Sequence, residues 1–217
     1  MQLNEGLERL GAKEVINRIE YEGEVFYGTA IENIRIPSTV KRLEVKTFYH
    51  CNDLRTVEIP NGVEYIGRRC FQKSGVEEIV FPASMKEVGS MAFYLCERLK
   101  RVQLNEGLQI LGVKEIIRGR ECVGGVFYGS GVESINIPST LKRIETATFD
   151  DCKQFRSIEI PDDVEYIGKS CFGYTAIDRI KLPPRLTALE SHTFIRCNNL
   201  KKVEIPNGVE CIGKQCF

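Results

Sequence analysis

The chain has 217 residues, with 30 Lys plus Arg against 30 Asp plus Glu and a formal net charge of zero. That balance removes the basic field by which proteins attract nucleic acid, so no nucleic-acid partner is expected. No apolar run approaches the ~20 residues needed to cross a bilayer, so no membrane insertion is expected either; the N-terminus also lacks the charged, apolar and small-residue order of a secretory leader.

Read from the N-terminus, MQLNEGLERLG at 1–11 returns at 102–112 as VQLNEGLQILG, VFYG at 25–28 returns at 126–129, and VEYIG at 63–67 returns at 164–168. Residues 1–116 match 102–217 without a gap at an offset of 101. A block of four repeats has been duplicated whole, giving blocks 1–101 and 102–217, the second running into a partial further repeat. One elongated repeat domain over 1–217 is expected, because stacked repeats share a continuous core. Met1 and Phe217 both fall inside a repeat, and both ends read as cut from a longer array.

Within the blocks, repeats open at Ile31, Leu54, Val76, Leu99, Val132, Phe155, Ile177 and Leu200, in steps of 23, 22, 23, 33, 23, 22 and 23. A unit this short cannot bury its apolar face alone and must stack on its neighbours. In Thr56-Val57-Glu58-Ile59 the alternation predicts a short strand with Val57 and Ile59 inward and Thr56 and Glu58 outward. Stacked in parallel, Val57, Ile79, Val102, Ile135, Ile158, Ile180 and Val203 should form one buried stripe. Pro60 and its equivalents, Pro37, Pro82, Pro138, Pro161, Pro183 and Pro206, lack a backbone donor and should end each strand; Asn105 takes that place once. Val63 and Ile66 then return to the core, Gly67 permits a bend, and Phe71 closes the coil.

Two repeats carry about eleven extra residues before the Phe, at 12–24 (AKEVINRIEYEGE) and 113–125 (VKEIIRGRECVGG). Such insertions fall on one face of a solenoid and are either a partner surface or a tolerated loop or helical turn. Val15, Ile16 and Ile19, and Ile116 and Ile117, suggest that each folds back on the coils. Of nine cysteines, Cys51, Cys96, Cys152 and Cys197 lie three residues after a repeat Phe, and Cys70, Cys171 and Cys216 directly precede one. Members of one column recur every second repeat at closest, roughly 10 Å apart and beyond disulfide reach, so most are expected to be buried thiols, with bridging between the two columns the alternative. Cys122 and Cys211 break register.

The residue after each repeat start reads Glu32, Arg55, Glu77, Lys100, Glu133, Arg156, Asp178, Lys201, alternating in sign throughout. An in-register parallel stack would place opposite charges side by side. A second column begins Lys41, Glu64, Lys86, Gln109, Lys142, Glu165.

The phrase L-x-x-[VI]-x-[IL]-P-x-x-[VL]-x-x-[IL]-x-x-x-x-F-x-x-C, carried best by 54–71, 76–96, 132–152 and 177–197, resembles the BspA-like class of leucine-rich repeats. That resemblance implies a strand-rich α/β leucine-rich-repeat solenoid, a curved right-handed coil with one parallel sheet face. It also implies display outside the cell or on its surface and a role in adhesion or protein binding. The chain departs from better-known leucine-rich repeats in lacking an Asn column after the strand.

His50 and His192 occupy different repeat positions, and no glycine-rich phosphate loop is present, so no enzyme activity, metal or cofactor is expected. The candidate surface is the outward strand column Arg35, Glu58, Gln103, Asn136, Glu159, Lys181 and Glu204, with Val80 among them, suited either to a protein or glycan or simply to solvent. Tyr27, Tyr49, Tyr94 and Tyr128 form a partial row after four of the Phe residues. The readings left open are a surface-displayed binding module, a structural spacer and an intracellular interaction scaffold. Uncovered apolar residues at the ends, Met1, Leu3 and Leu7 with Val209, Ile212 and Phe217, imply end-to-end self-association.

Overall fold

Three alternating residues make a strand only where a neighbour completes their hydrogen bonds, and here each coil finds that neighbour in the next. The computed structural model describes residues 6–11, 14–16, 19–21, 23–117 and 119–217, with the backbone alone at 14–16, 19–21 and 120. It is a strand-rich solenoid whose eight coils open at the repeat starts above (coil 1 at Ile31 to coil 8 at Leu200), and no helix forms among the described residues. Met1 and Leu3 lie outside the described residues.

The outer ladder consists of Asn33–Arg35, Thr56–Glu58, Glu78–Val80, Arg101–Gln103, Ser134–Asn136, Ser157–Glu159, Arg179–Lys181 and Lys202–Glu204. Every pairing in it is parallel and in register. A second parallel ladder, beyond the one sheet face expected, runs through Arg9–Leu10, Arg42–Leu43, Tyr65–Ile66, Glu87–Gly89 and Ile110–Val113. It resumes as Arg143–Ile144 with Tyr166–Ile167 and as Ala188–Leu189 with Cys211–Ile212.

The third side of each coil is a run of turns around the Phe. Residues two before and two after it take left-handed conformations, as at Lys46 (φ 57°) and His50 (φ 58°) around Phe48. The turns bond from coil to coil: Phe71 N donates to Ala92 O at 2.8 Å and Phe93 N to Val126 O at 2.8 Å. Inside them the rings of Phe26, Phe48, Phe71, Phe93, Phe127, Phe149, Phe172, Phe194 and Phe217 stack face to face at 5.0–5.8 Å, forming an aromatic spine.

The coils alternate in kind. After the Phe, one kind continues Ser or Thr then Gly or Ala (Ser74-Gly75, Ser130-Gly131, Thr175-Ala176); the other continues Cys and two polar residues (Cys96-Glu97-Arg98). The thiols of Cys51, Cys96, Cys152 and Cys197 donate to the carbonyls of Phe26, Phe71, Phe127 and Phe172 in the preceding coil at 2.8–2.9 Å. The Cys coils are one residue longer, so the structural period is a pair of coils. Each 23-residue step gives full three-residue pairing in the outer ladder. The short steps do not: Thr56–Glu58 is not hydrogen-bonded to Glu78–Val80, nor Ser157–Glu159 to Arg179–Lys181. Across the short step that also carries the insertion, a single pair, Arg101 with Ser134, remains.

Those gaps correct the expected stripe. Ile79, Val102, Ile135 and Ile180 are buried, but on the N-terminal side of each gap Val57 and Ile158 are only partly buried, as is Val203 in the last coil. Asn105 also gains an explanation. Its Nδ2 donates to the carbonyls of Phe81 and Pro82 and its Oδ1 accepts Gly107 N at 2.7 Å, binding two coils where a proline ring could not.

Both insertions contain antiparallel hairpins, Glu14–Ile16 with Ile19–Tyr21 and Glu115–Ile117 with Arg120–Cys122, rather than a helical turn. The side chains of Val15, Ile16 and Ile19 lie outside the described residues. The second hairpin does fold back: Glu115 reaches coil 2, where Oε1 accepts from Tyr65 Oη at 3.3 Å and Oε2 from Arg68 Nε at 3.1 Å. Ile116 points away from the coils and is 65% exposed.

Candidate binding face

Period-two alternation turns every second strand residue outward, and Arg35, Glu58, Gln103, Asn136, Glu159, Lys181 and Glu204 are all exposed on the outer ladder. Arg35 lies 3.4 Å from Glu58, Arg101 lies 2.7 Å from Glu78, and Lys202 pairs with Glu204 in its own strand at 2.8 Å. Where coils 2 and 3 part, the face opens into a groove of about 820 Å³. Val57, Ile59, Pro60, Val80, Phe81 and Pro82 line it, with Arg35, Glu58 and Glu78 at its polar margin. Val80 is 46% exposed, an aliphatic side chain on an otherwise polar face. The groove was not readable from the sequence, although the 22-residue step beneath it was.

The alternating charge column is in register through the backbone, with Arg55 N on Glu32 O at 2.7 Å and Lys201 N on Asp178 O at 2.8 Å. Among the described residues, however, no ion pair closes between its neighbours, so these charges are solvated. The second column does close once: Lys86 meets Glu64 at 2.9 Å, and that hydrogen bond holds the Glu64 carboxyl below its ordinary value. Further along, Lys142 pairs with Asp163 at 3.0 Å, and Arg185 spans Asp163 at 3.1 Å and Glu165 at 3.3 Å.

On the turn side the tyrosines form two stacked pairs, Tyr27 with Tyr49 at 5.5 Å and Tyr94 with Tyr128 at 4.9 Å. His50 packs edge-on against Tyr49; burial, and then the Lys73 charge, lower its pKa. His192 bonds Gln215 at 2.9 Å. Neither imidazole meets a thiol in the way a nucleophilic pair requires. The seven in-register thiols are buried, and burial pushes Cys96 and Cys152 up to about 12, far from the thiolate range. Cys211 is exposed and Cys122 half-buried. Among the described residues no group of three or more His, Cys, Asp or Glu side chains could hold a metal ion.

Parallel ladders, a turn-built flank and an internal Phe spine define a leucine-rich-repeat solenoid. More narrowly, the chain belongs to the BspA type leucine-rich-repeat family, whose sequence model matches in six copies over residues 20–116 and 123–217. Among solved structures it is similar to a leucine-rich repeat protein from Bacteroides ovatus, with 20% identity over 100% of this chain and 74% of that one, at a TM-score of 0.64. It is similar also to a leucine-rich repeat protein of T. pallidum, with 23% identity over 84% of this chain and 73% of that one, at a TM-score of 0.54. Those likenesses define the fold alone. No curated protein matches the chain.

Proposed function

We propose that the chain is a non-catalytic, surface-displayed binding module that holds a protein or glycan against its outer ladder. The observation that carries this reading is the groove over coils 2 and 3, where an apolar floor of Val57, Ile59 and Val80 is open beneath a polar margin. An apolar patch with a few oriented polar groups is how proteins seat ligands. Surface display rests on membership of the BspA type family. The test is binding of the purified chain to glycan arrays and to a panel of extracellular-matrix proteins, with Val80→Asp combined with Glu58→Lys as the comparison. Loss of binding in that variant, with its fold intact by circular dichroism, supports the groove. Equal binding by both proteins refutes it.

A further inference from the structure

We propose that the solenoid carries a hinge between coils 6 and 7, held shut by an exposed charge clasp. The internal duplication supplies the comparison, because coils 2 and 3 form the same junction 101 residues earlier. There the second ladder is continuous, with Tyr65 paired to Glu87 and Ile66 to Val88, and Lys86 N and Glu87 N both donate to Glu64 O. Glu77 N also reaches Arg55 O at 3.2 Å, Ser84 Oγ bonds Val63 O and Gly62 N, and the hairpin's Glu115 grips Tyr65 and Arg68 from above.

Coils 6 and 7 have none of these ties. Ser157–Glu159 is unpaired with Arg179–Lys181, and Tyr166–Ile167 is unpaired with Ala188–Leu189. Among the described residues this is the sole junction where both ladders are interrupted together. The turn side stays closed: Ser170 N to Ser191 O at 3.1 Å, Phe172 N to Thr193 O at 2.9 Å and Tyr174 N to Ile195 O at 2.8 Å. Two open ladders and one bonded edge make a hinge whose axis runs along the turns.

The sequence differences account for the opening. A Cβ added at Gly89 would lie 2.5 Å from Arg68 N and 2.7 Å from Gly67 C, so the ladder of coils 2 and 3 closes only because that residue is glycine. Glu190 stands at the equivalent position of coil 7 and cannot approach coil 6 as closely. Glu145 likewise faces a gap in this ladder, between coils 4 and 5; Glu44 is the exception, its carboxylate held by Arg9 and Arg42. Pro184, in place of Ala83, removes a further donor. Where Ser84 makes neutral bonds, Arg185 makes ion pairs with Asp163 and Glu165, their side chains 45–56% exposed. Opening this clasp would widen the outer face between Ile158 and Ile180.

Amide hydrogen exchange and spin-label distances test the proposal. Thr187 and Ala188, whose amides find no acceptor in coil 6, should exchange about 100-fold faster than Lys86 and Glu87, whose amides are bonded to Glu64 O. Spin labels at the exposed positions Glu159 and Lys181 should move apart when NaCl is raised or Arg185→Ser is introduced, while labels at Glu58 and Val80 keep their separation, since exposed pairs are screened by salt; exchange at 187–188 stays fast throughout. Glu190→Gly should slow it. Equal exchange at the two junctions, or no response of the label separation to both salt and Arg185→Ser, overturns the hinge.

Discussion

Glu115 and Arg68 are 47 residues apart in sequence and 3.1 Å apart in space. The contact ties the insertion of coil 4 to the turn side of coil 2 and so crosses the whole of coil 3. Arg68 is 6% exposed, which leaves its guanidinium little access to water if the carboxylate is lost. Removing Glu115 takes a carboxylate partner from a guanidinium that water can hardly reach in its place. Glu115→Ala should therefore lower stability by about 2 kcal/mol in urea denaturation. Proteolysis near Gly119 at the hairpin tip should accelerate with it. Unchanged stability and cleavage would show that the hairpin sits on the coils without holding them.

Charge placed in the core should rank the stripe positions. Ile158 and Ile180 face each other across the gap between coils 6 and 7, but Ile180 is 4% exposed whereas Ile158 is only partly buried. Ile180→Asp should cost about 4 kcal/mol and Ile158→Asp about half of that, since the second carboxylate can reach water. Thermal melts of the two variants decide it; equal losses would mean that the outer ladder is closed in solution.

What the sequence made readable follows from which interactions are local. Val57 and Glu58 announce their faces by alternation alone, so the outer ladder and its seven exposed residues could be placed from the chain. Tyr65 and Ile66 form a strand of two residues, too short to alternate, and the second ladder passed unseen. The pairing of coils was visible in principle. Ser74-Gly75 and Cys96-Glu97-Arg98 differ by a residue at the same place, and the 22 and 23 residue steps record that difference. The Glu115 to Arg68 contact was not visible, because it depends on the direction in which a hairpin leaves the coil. The alternating charges of Glu32 and Arg55 mark a column in register, but whether its side chains close into ion pairs was not legible, since register fixes the backbone and not the ends of flexible side chains.

The thiols should divide by exposure. Cys51 donates its proton to Phe26 O at 2.8 Å, as its three equivalents do to their own Phe carbonyls, a geometry that a disulfide sulfur could not supply. Titration of the native protein with a thiol reagent should label Cys211 first and Cys122 more slowly, with the seven in-register thiols silent. In denaturant all nine cysteines should react. Fewer than eight reactive thiols would mean that a disulfide contributes to stability.

Asp150 should make stability depend on pH. It occupies the position after the Phe that Tyr49 holds one block earlier, and its Oδ1 is buried with no hydrogen-bond partner. The oxygen fits because coil 6 offers Gly173, where an added Cβ would come within 2.6 Å of it. Burial pushes the carboxyl up to about 6; the Asp151 charge reinforces the shift, and the Asp151 backbone hydrogen bond and His192 oppose it. A raised carboxyl pKa means that the folded chain holds this proton more tightly than the unfolded chain does. The resulting stabilisation is complete below the ordinary value of 3.8 and is lost as pH rises through about 6. Allowing for partial solvent access, the swing should be about 1 kcal/mol. Melting temperature measured from pH 4 to 8 should fall across that window in the native sequence, and Asp150→Asn should remove this part of the decline while raising stability at pH 8. An identical pH profile for both proteins would place the Asp150 carboxylate in water.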